Sequence, residues 1–178
     1  GEDPIAIVLS RTLALPKKLP CVREGTLCIH GPLAPESQRQ AWLKRGVELI
    51  EVSLDHEENG LNLSEVLVAL GSRGITHVVV EGGGKLHASF IQAELIDDVM
   101  LYVAPKIIGR GRPLFALPSV QTVQDGWCLQ NQEVKILGDD LLITGNFRKI
   151  KSFEVEASLS HIDQHKNESK PKILDNGC

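Results

Sequence analysis

The chain has 178 residues, 42% of them hydrophobic and 24% charged, with a formal net charge of −4. That is enough apolar material for one good core, and a single domain is the default at this length. The acidic balance argues against a broad basic face for nucleic acid or an anionic membrane, and no run approaches the roughly 20 apolar residues of a membrane span. A nucleotide phosphate needs only local donors, so the net charge leaves small anionic ligands open. No signal peptide is visible. The chain begins Gly-Glu-Asp-Pro without a methionine, so its natural start is expected elsewhere. Cys21, Cys28, Cys128 and Cys178 are scattered, and none forms the Cys-x-x-Cys pair of a zinc site. Reduced thiols, and a cytoplasmic or organellar-stroma location, are the expectation.

Residues 5–9 (Ile-Ala-Ile-Val-Leu) predict a strand in a covered sheet. Ser10, Arg11 and Thr12 follow at its carboxyl end, where ligands of open α/β sheets bind. Ordinary loop polarity is the competing account of the same residues. Residues 16–20 form a basic, proline-punctuated connection. Residues 26–29 predict a second strand, ended by His30-Gly31-Pro32. A helix is expected over 35–45, with Pro35 in its first turn, Trp42 on its inner face and Gly46 as its stop. Residues 47–54 alternate as a strand does. Residues 55–60 (Asp-His-Glu-Glu-Asn-Gly) read as a polar turn, because adjacent side chains cannot all converge on a metal.

Asn62 caps the next helix with Glu65 three places on, and Leu63, Val66, Leu67 and Leu70 line one face. Residues 76–80 predict a buried central strand, which would complete a right-handed parallel crossover. Leu86, Phe90, Ile91 and Leu95 anchor a third helix, and Asp97-Asp98 turn the chain into an apolar strand over 99–104. Residues 106–118 form a loop in which Arg110 and Arg112 either meet a phosphate or are simply solvated. Residues 133–137 and 141–147 flank Gly138-Asp139-Asp140, a hairpin signal. From Lys149 the character changes: 153–159 predicts a short strand and 161–178 a polar tail, in which His161 and His165 lack further zinc ligands. The pattern places the chain in the α/β class, with a mainly parallel mixed sheet flanked by helices and a C-terminal antiparallel hairpin.

The stretch with most chemistry in it runs Val78-Val79-Val80-Glu81-Gly82-Gly83-Gly84-Lys85-Leu86-His87-Ala88-Ser89-Phe90. Glycines at a strand-to-helix junction let the backbone approach a ligand, and successive N–H groups with the positive end of the helix can hold a phosphate. A tight turn with no ligand is the plainer alternative.

These residues, with Leu95-Ile96-Asp97-Asp98 and Leu101-Tyr102-Val103-Ala104-Pro105-Lys106, resemble the reductase domain of riboflavin biosynthesis. The similarity runs over residues 4–148 and is most specific from Val78 to Gly109. It implies a dihydrofolate-reductase-like fold, with 1–150 as the reductase domain and 151–178 as an extension. It also implies NADPH as cofactor and a phosphorylated aminouracil, whose ribosyl group is reduced, as substrate. On this resemblance Gly82, Gly83, Gly84, Lys85, Leu86, His87, Ala88 and Ser89 contact the cofactor. Ser10 and Arg11 then suit its 2′-phosphate, Arg11 through paired donors. A homodimer is expected, with no nucleic-acid or membrane partner. The zinc-deaminase signature, to which such reductases are often fused, is absent.

Glu81 separates related activities. Relatives that reduce dihydrofolate carry an apolar residue before the glycines, whereas the riboflavin reductases carry a glutamate at the substrate. The resemblance therefore implies that Glu81 contacts substrate, as a hydrogen-bond acceptor or in proton delivery. Capping of the next helix is the alternative. The front of the family pattern, a strand with Asp-Gly and a later Asp-Pro loop, has no counterpart here. A sheet without that strand leaves backbone N–H and C=O groups unpaired. The chain is accordingly expected to work with a further segment of about 50 to 70 residues, upstream or on a partner chain, to reach ordinary domain size. A catalytically incomplete NADP-binding or assembly protein of the same fold, or a dihydrofolate reductase, are the other readings.

Overall fold

The computed structural model describes residues 3–16, 19–55, 60–122 and 125–149. Most of the polar turn at 55–60, the strand expected at 153–159, the tail with His161 and His165, and Cys178 lie outside the described residues. The chain divides into two units, Gly1–Glu81 and Gly82–Cys178.

The first unit is built on three parallel strands, β1 (Ile7–Ser10), β2 (Leu27–His30) and β3 (Glu48–Glu51), in that spatial order. Helices α1 (Glu36–Leu43) and α2 (Leu63–Gly71) follow β2 and β3 in the chain. Alternation along the strands explains why both sheet faces are covered. Leu27, Ile29 and Ile50 pack with Val66 and Leu70 of α2. Cys28 faces the other way and packs with Trp42 of α1, Val47 and Leu13. All four residues of β2 are buried, as the middle strand of a covered sheet requires. Each such aliphatic side chain contributes about 1.5–3 kcal/mol, against about 0–1 kcal/mol for an exposed pair such as Arg73–Glu48 at 2.8 Å, so the core and not the surface charge holds this unit. The Trp42 indole N–H donates to the Leu13 carbonyl at 3.1 Å, and the Arg45 guanidinium lies 4.5 Å from the ring centroid.

Asn62 caps α2 as its sequence predicts: its side chain accepts the Glu65 N–H at 3.2 Å. Glu65 reaches further back, accepting the Ser53 N–H and hydroxyl, each at 2.7 Å. The Ser53 N–H first, and its hydroxyl second, hold the Glu65 carboxyl below its ordinary 4.5. A depressed carboxyl contributes stability above its unfolded pKa and loses it as pH falls through the folded value. Glu65→Ala should therefore lower the melting temperature near neutral pH, with the gap to wild type closing in thermal melts as the pH falls below 4.5 and through the lowered value of the folded carboxyl. A gap that persists unchanged in acid would show that the ionised carboxylate is not what ties α2 to the end of β3.

Residues 76–80 depart from expectation. They form no strand, and Val78 and Val79 are 38% and 82% exposed. The parallel crossover from β3 through α2 is therefore not completed. Three β-branched residues favour a pleated conformation, but a strand exists only where a neighbouring backbone offers its hydrogen bonds. No such neighbour lies beside residues 76–79 among the described residues.

The second unit contains α3 (Gly84–Gln92) and an antiparallel sheet of β4 (Asp98–Val103), β5 (Trp127–Leu137) and β6 (Asp140–Lys149), in the order β4-β6-β5. The predicted hairpin is present, with Leu137 paired to Asp140 and Gly138 at φ 64°, a left-handed position that suits glycine. It is longer than its apolar runs suggest. A register shift between Gln130 and Glu133 marks a bulge, where the Asn131 amide donates to the Asn146 side chain at 3.0 Å. Strand β4, expected as an apolar strand of a mainly parallel sheet, pairs antiparallel with β6. Ala88, Phe90 and Ile91 give α3 its buried face. Among the described residues no helix is long and apolar enough to cross a membrane.

Candidate functional site

The carboxyl edge of the parallel sheet is a row of three residues in register: Ser10, His30 and Glu51. Ser10 closes β1 half-buried, and Arg11 follows exposed. The turn is fixed by its backbone, since the Gly31 N–H donates to the Arg11 carbonyl at 3.1 Å. A Cβ on Gly31 would sit 3.0 Å from that carbonyl and 2.7 Å from Leu54 Cδ2, so the close approach requires glycine. On the other flank, Arg39 of α1 pairs with Glu51 at 2.7 Å and donates to the Ala34 carbonyl at 3.1 Å. Ser10 and Arg11 thus stand together on one rigid edge, with serine and guanidinium donors suited to an anion.

The glycine stretch builds the start of α3. Gly83 is the N-cap, and no side chain caps the helix. The first turn holds no acidic residue, so the positive end of the helix is not neutralised locally. The three glycines do different work. A Cβ on Gly82 would meet Leu86 Cδ2 at 2.5 Å, a flexible side chain. Gly83 has no atom within 4 Å of that position, so its outer face is open. A Cβ on Gly84 would run into the Pro113 carbonyl oxygen, with the Leu114 oxygen at 3.2 Å and the Ala116 nitrogen at 3.3 Å. Here the loop after β4 is docked on the helix: the Ala116 N–H donates to the Gly84 carbonyl at 2.9 Å, and His87 Nδ1 lies 3.1 Å from the Leu114 oxygen.

An aromatic chain continues from that dock, with His87 edge-on to Phe115 at 5.9 Å, Phe115 to Phe147 at 5.7 Å, and Phe147 stacked on Trp127 at 5.4 Å. His87 therefore has one ring nitrogen on the loop. Lys85 is exposed, Ala88 is buried, and the Ser89 hydroxyl donates back to the Lys85 carbonyl at 3.2 Å. Glu81 immediately precedes the glycines and is exposed, not enclosed at the end of a buried strand. An open Gly83, an uncapped helix start and an adjacent lysine can receive a phosphate through backbone N–H groups. An exposed carboxylate one residue before them can take a hydrogen bond from a ligand.

Two features escaped sequence reasoning. Residues 113–116 pack against α3 across nearly thirty residues of chain, which no local signal encodes. His30 looked like a strand terminator, yet it is 2% exposed on the middle strand. The available signal was its place as the last residue of a strand whose other members are all apolar or cysteine. Of the cysteines, Cys21, Cys28 and Cys128 are free thiols. Burial first, with the Cys21 thiol beside it, pushes Cys28 up to about 11, so it stays protonated and unreactive near neutral pH.

Comparison with known proteins gives the family of the chain. The riboflavin biosynthesis protein RibD of Haemophilus influenzae is 37% identical over 83 residues, covering 46% of this chain and 22% of that protein. The 5-amino-6-(5-phosphoribosylamino)uracil reductase of Buchnera aphidicola is 28% identical over 116 residues, covering 65% of this chain and 55% of that protein. The structure of Acinetobacter baumannii RibD (form 2) superposes with a TM-score of 0.62 at 25% identity, over 81% of this chain and 38% of that one. The chain thus spans little more than half, or less, of these relatives. The model of the RibD C-terminal domain family matches residues 1–143, and the chain belongs to that family.

Proposed function

We propose that this chain carries out NADPH-dependent reduction of the ribosyl group of 5-amino-6-(5-phosphoribosylamino)uracil to the ribityl form in riboflavin biosynthesis. Family membership and a relative named for that reduction support the reaction class. The observation that carries the reading is Glu81, an exposed carboxylate set one residue before a glycine-opened, uncapped helix start. The residues fit a dinucleotide: the open face of Gly83 leaves room for a pyrophosphate beside the first N–H groups of α3. Gly82, Gly84, Lys85, Leu86, His87, Ala88 and Ser89 frame that position, with Lys85 as the exposed cation. Ser10 and Arg11 receive the 2′-phosphate at the sheet edge. The bound cofactor supplies the hydride for C1′ of the ribosylamino group. Glu81 accepts a hydrogen bond from the substrate and so orients it. The domain over 1–150 works with a further segment, upstream or on a partner chain, as a cytoplasmic homodimer, with 151–178 as an extension.

A second reading, an NADP-binding or assembly protein that does not turn over by itself, is favoured by the exposed, strandless residues 76–79. Residues 76–79 are pleat-prone and lie in no strand, so they are a place for an added strand, from another part of the polypeptide or from a partner chain. Both readings are tested by purifying the chain, confirming its intact mass, and following NADPH oxidation with the aminouracil phosphate. Glu81→Gln should cut turnover roughly tenfold, the worth of one charge-assisted hydrogen bond, while NADPH affinity stays within a few-fold. Normal turnover in the variant would remove Glu81 from the substrate. A chain that binds NADPH and never oxidises it would select the second reading.

A further inference from the structure

His30 closes the middle strand of the parallel sheet and is 2% exposed. Its Nδ1 lies 2.8 Å from the Gly31 carbonyl oxygen. A carbonyl only accepts, so Nδ1 must carry the hydrogen, and in the neutral ring Nε2 bears the lone pair. That nitrogen has no hydrogen-bond partner among the described residues. It is also not completely inaccessible, because among the described residues no fully buried side-chain nitrogen or oxygen is left without a partner. A deeply buried imidazole thus keeps a single unpaired acceptor in contact with solvent.

The neighbours show what that acceptor is for. Strand alternation puts Ser10, His30 and Glu51 on the face that carries α1, two residues beyond Val8, Cys28 and Leu49. Register places Ser10 beside His30 on the adjacent strand, about 4.8 Å away along the sheet. The Arg39 guanidinium is committed to Glu51, to the Ala34 carbonyl and to the Pro32 carbonyl, and no bond joins it to His30. Arg39 is thus engaged elsewhere, and the His30 acceptor remains unpaired at the carboxyl end of a central parallel strand, the usual ligand position in such sheets.

We propose that His30 is a further contact residue of this edge, its Nε2 accepting a hydrogen bond from a ribose hydroxyl or the amino group of the adenosine end of the dinucleotide. This rests on the reading of Ser10 and Arg11 as the cofactor's 2′-phosphate site. The pairing is specific in direction: the imidazole takes a donor, while Ser10 and Arg11 donate to the phosphate. The Gly31 bond holds the ring in the tautomer that can do so.

Two substitutions separate the ring's internal and external roles. His30→Asn places an amide near Nδ1, keeps the bond to Gly31 and removes the outward acceptor. His30→Gln places its polar group nearer Nε2. Affinity for NADPH and for adenosine 2′,5′-bisphosphate, measured by titration, should fall about three- to tenfold in the Asn variant and recover in part in the Gln variant. Affinity for nicotinamide mononucleotide, which lacks the adenosine, should not change. In nitrogen NMR of the wild-type imidazole, the bisphosphate should shift Nε2 while Nδ1 keeps its proton, a readout that needs no variant to fold. A folded Asn variant with undiminished affinity, an Nε2 signal that does not respond, or an Nε2 that gains a proton on binding would each overturn the proposal. If wild type binds neither NADPH nor the bisphosphate, the cofactor reading fails first, and this inference with it.

Discussion

Gly84→Val is expected to destabilise the chain by about 1–3 kcal/mol or more, the usual cost of forcing atoms into a packed position. The new Cβ would point at the Pro113 carbonyl oxygen, with the Leu114 oxygen at 3.2 Å and the Ala116 nitrogen at 3.3 Å. All three are backbone atoms, so no side chain can swing aside. Relief requires the loop to leave the helix start. That motion gives up the Ala116 N–H bond to the Gly84 carbonyl and the His87 contact with the Leu114 oxygen. It also pulls Phe115 away from both His87 and Phe147. Urea denaturation followed by tryptophan fluorescence measures the loss, since Trp127 stacks on Phe147 at the end of that chain. A midpoint unchanged from wild type would mean that the loop is not docked on α3 in solution.

What the sequence encoded locally was legible. The Asn62 cap, with Glu65 three places on, fixes the start of α2 within one turn of chain, and both residues act there. The buried run of β2 and the turn at Gly138 are likewise short-range patterns. Residues 76–80 show the limit of such reasoning. Their composition specifies a strand, but a ladder needs a partner that composition cannot supply. Strand β5 shows the reverse: the polar run Gln130-Asn131-Gln132 hides a strand that continues through a bulge. At the candidate site, one motif of three glycines read as a single phosphate loop. The third of them answers to residues 113–116, and only the second faces open space. His30 was hidden for a related reason, because a lone histidine after an apolar run does not announce which of its nitrogens is already bonded.

The glycine that faces open space carries the other large effect. Gly83→Val should leave the fold intact, because no atom lies within 4 Å of the position its Cβ would take. Gly83 is at φ −77°, which a side chain adopts without strain, so backbone conformation does not penalise the change either. The valine would instead occupy the space outside the α3 start, where a pyrophosphate must come within about 3 Å of the N–H groups to bond with them. NADPH affinity should therefore fall well over tenfold, at least about 1.4 kcal/mol, while the urea midpoint stays near wild type. The two variants discriminate because they are adjacent: Gly84→Val loses stability, and Gly83→Val loses ligand. Fluorescence titration of NADPH against a folded Gly83→Val protein decides the matter. Affinity equal to wild type would remove the pyrophosphate from this helix, and would leave the glycines as a packing device for the loop.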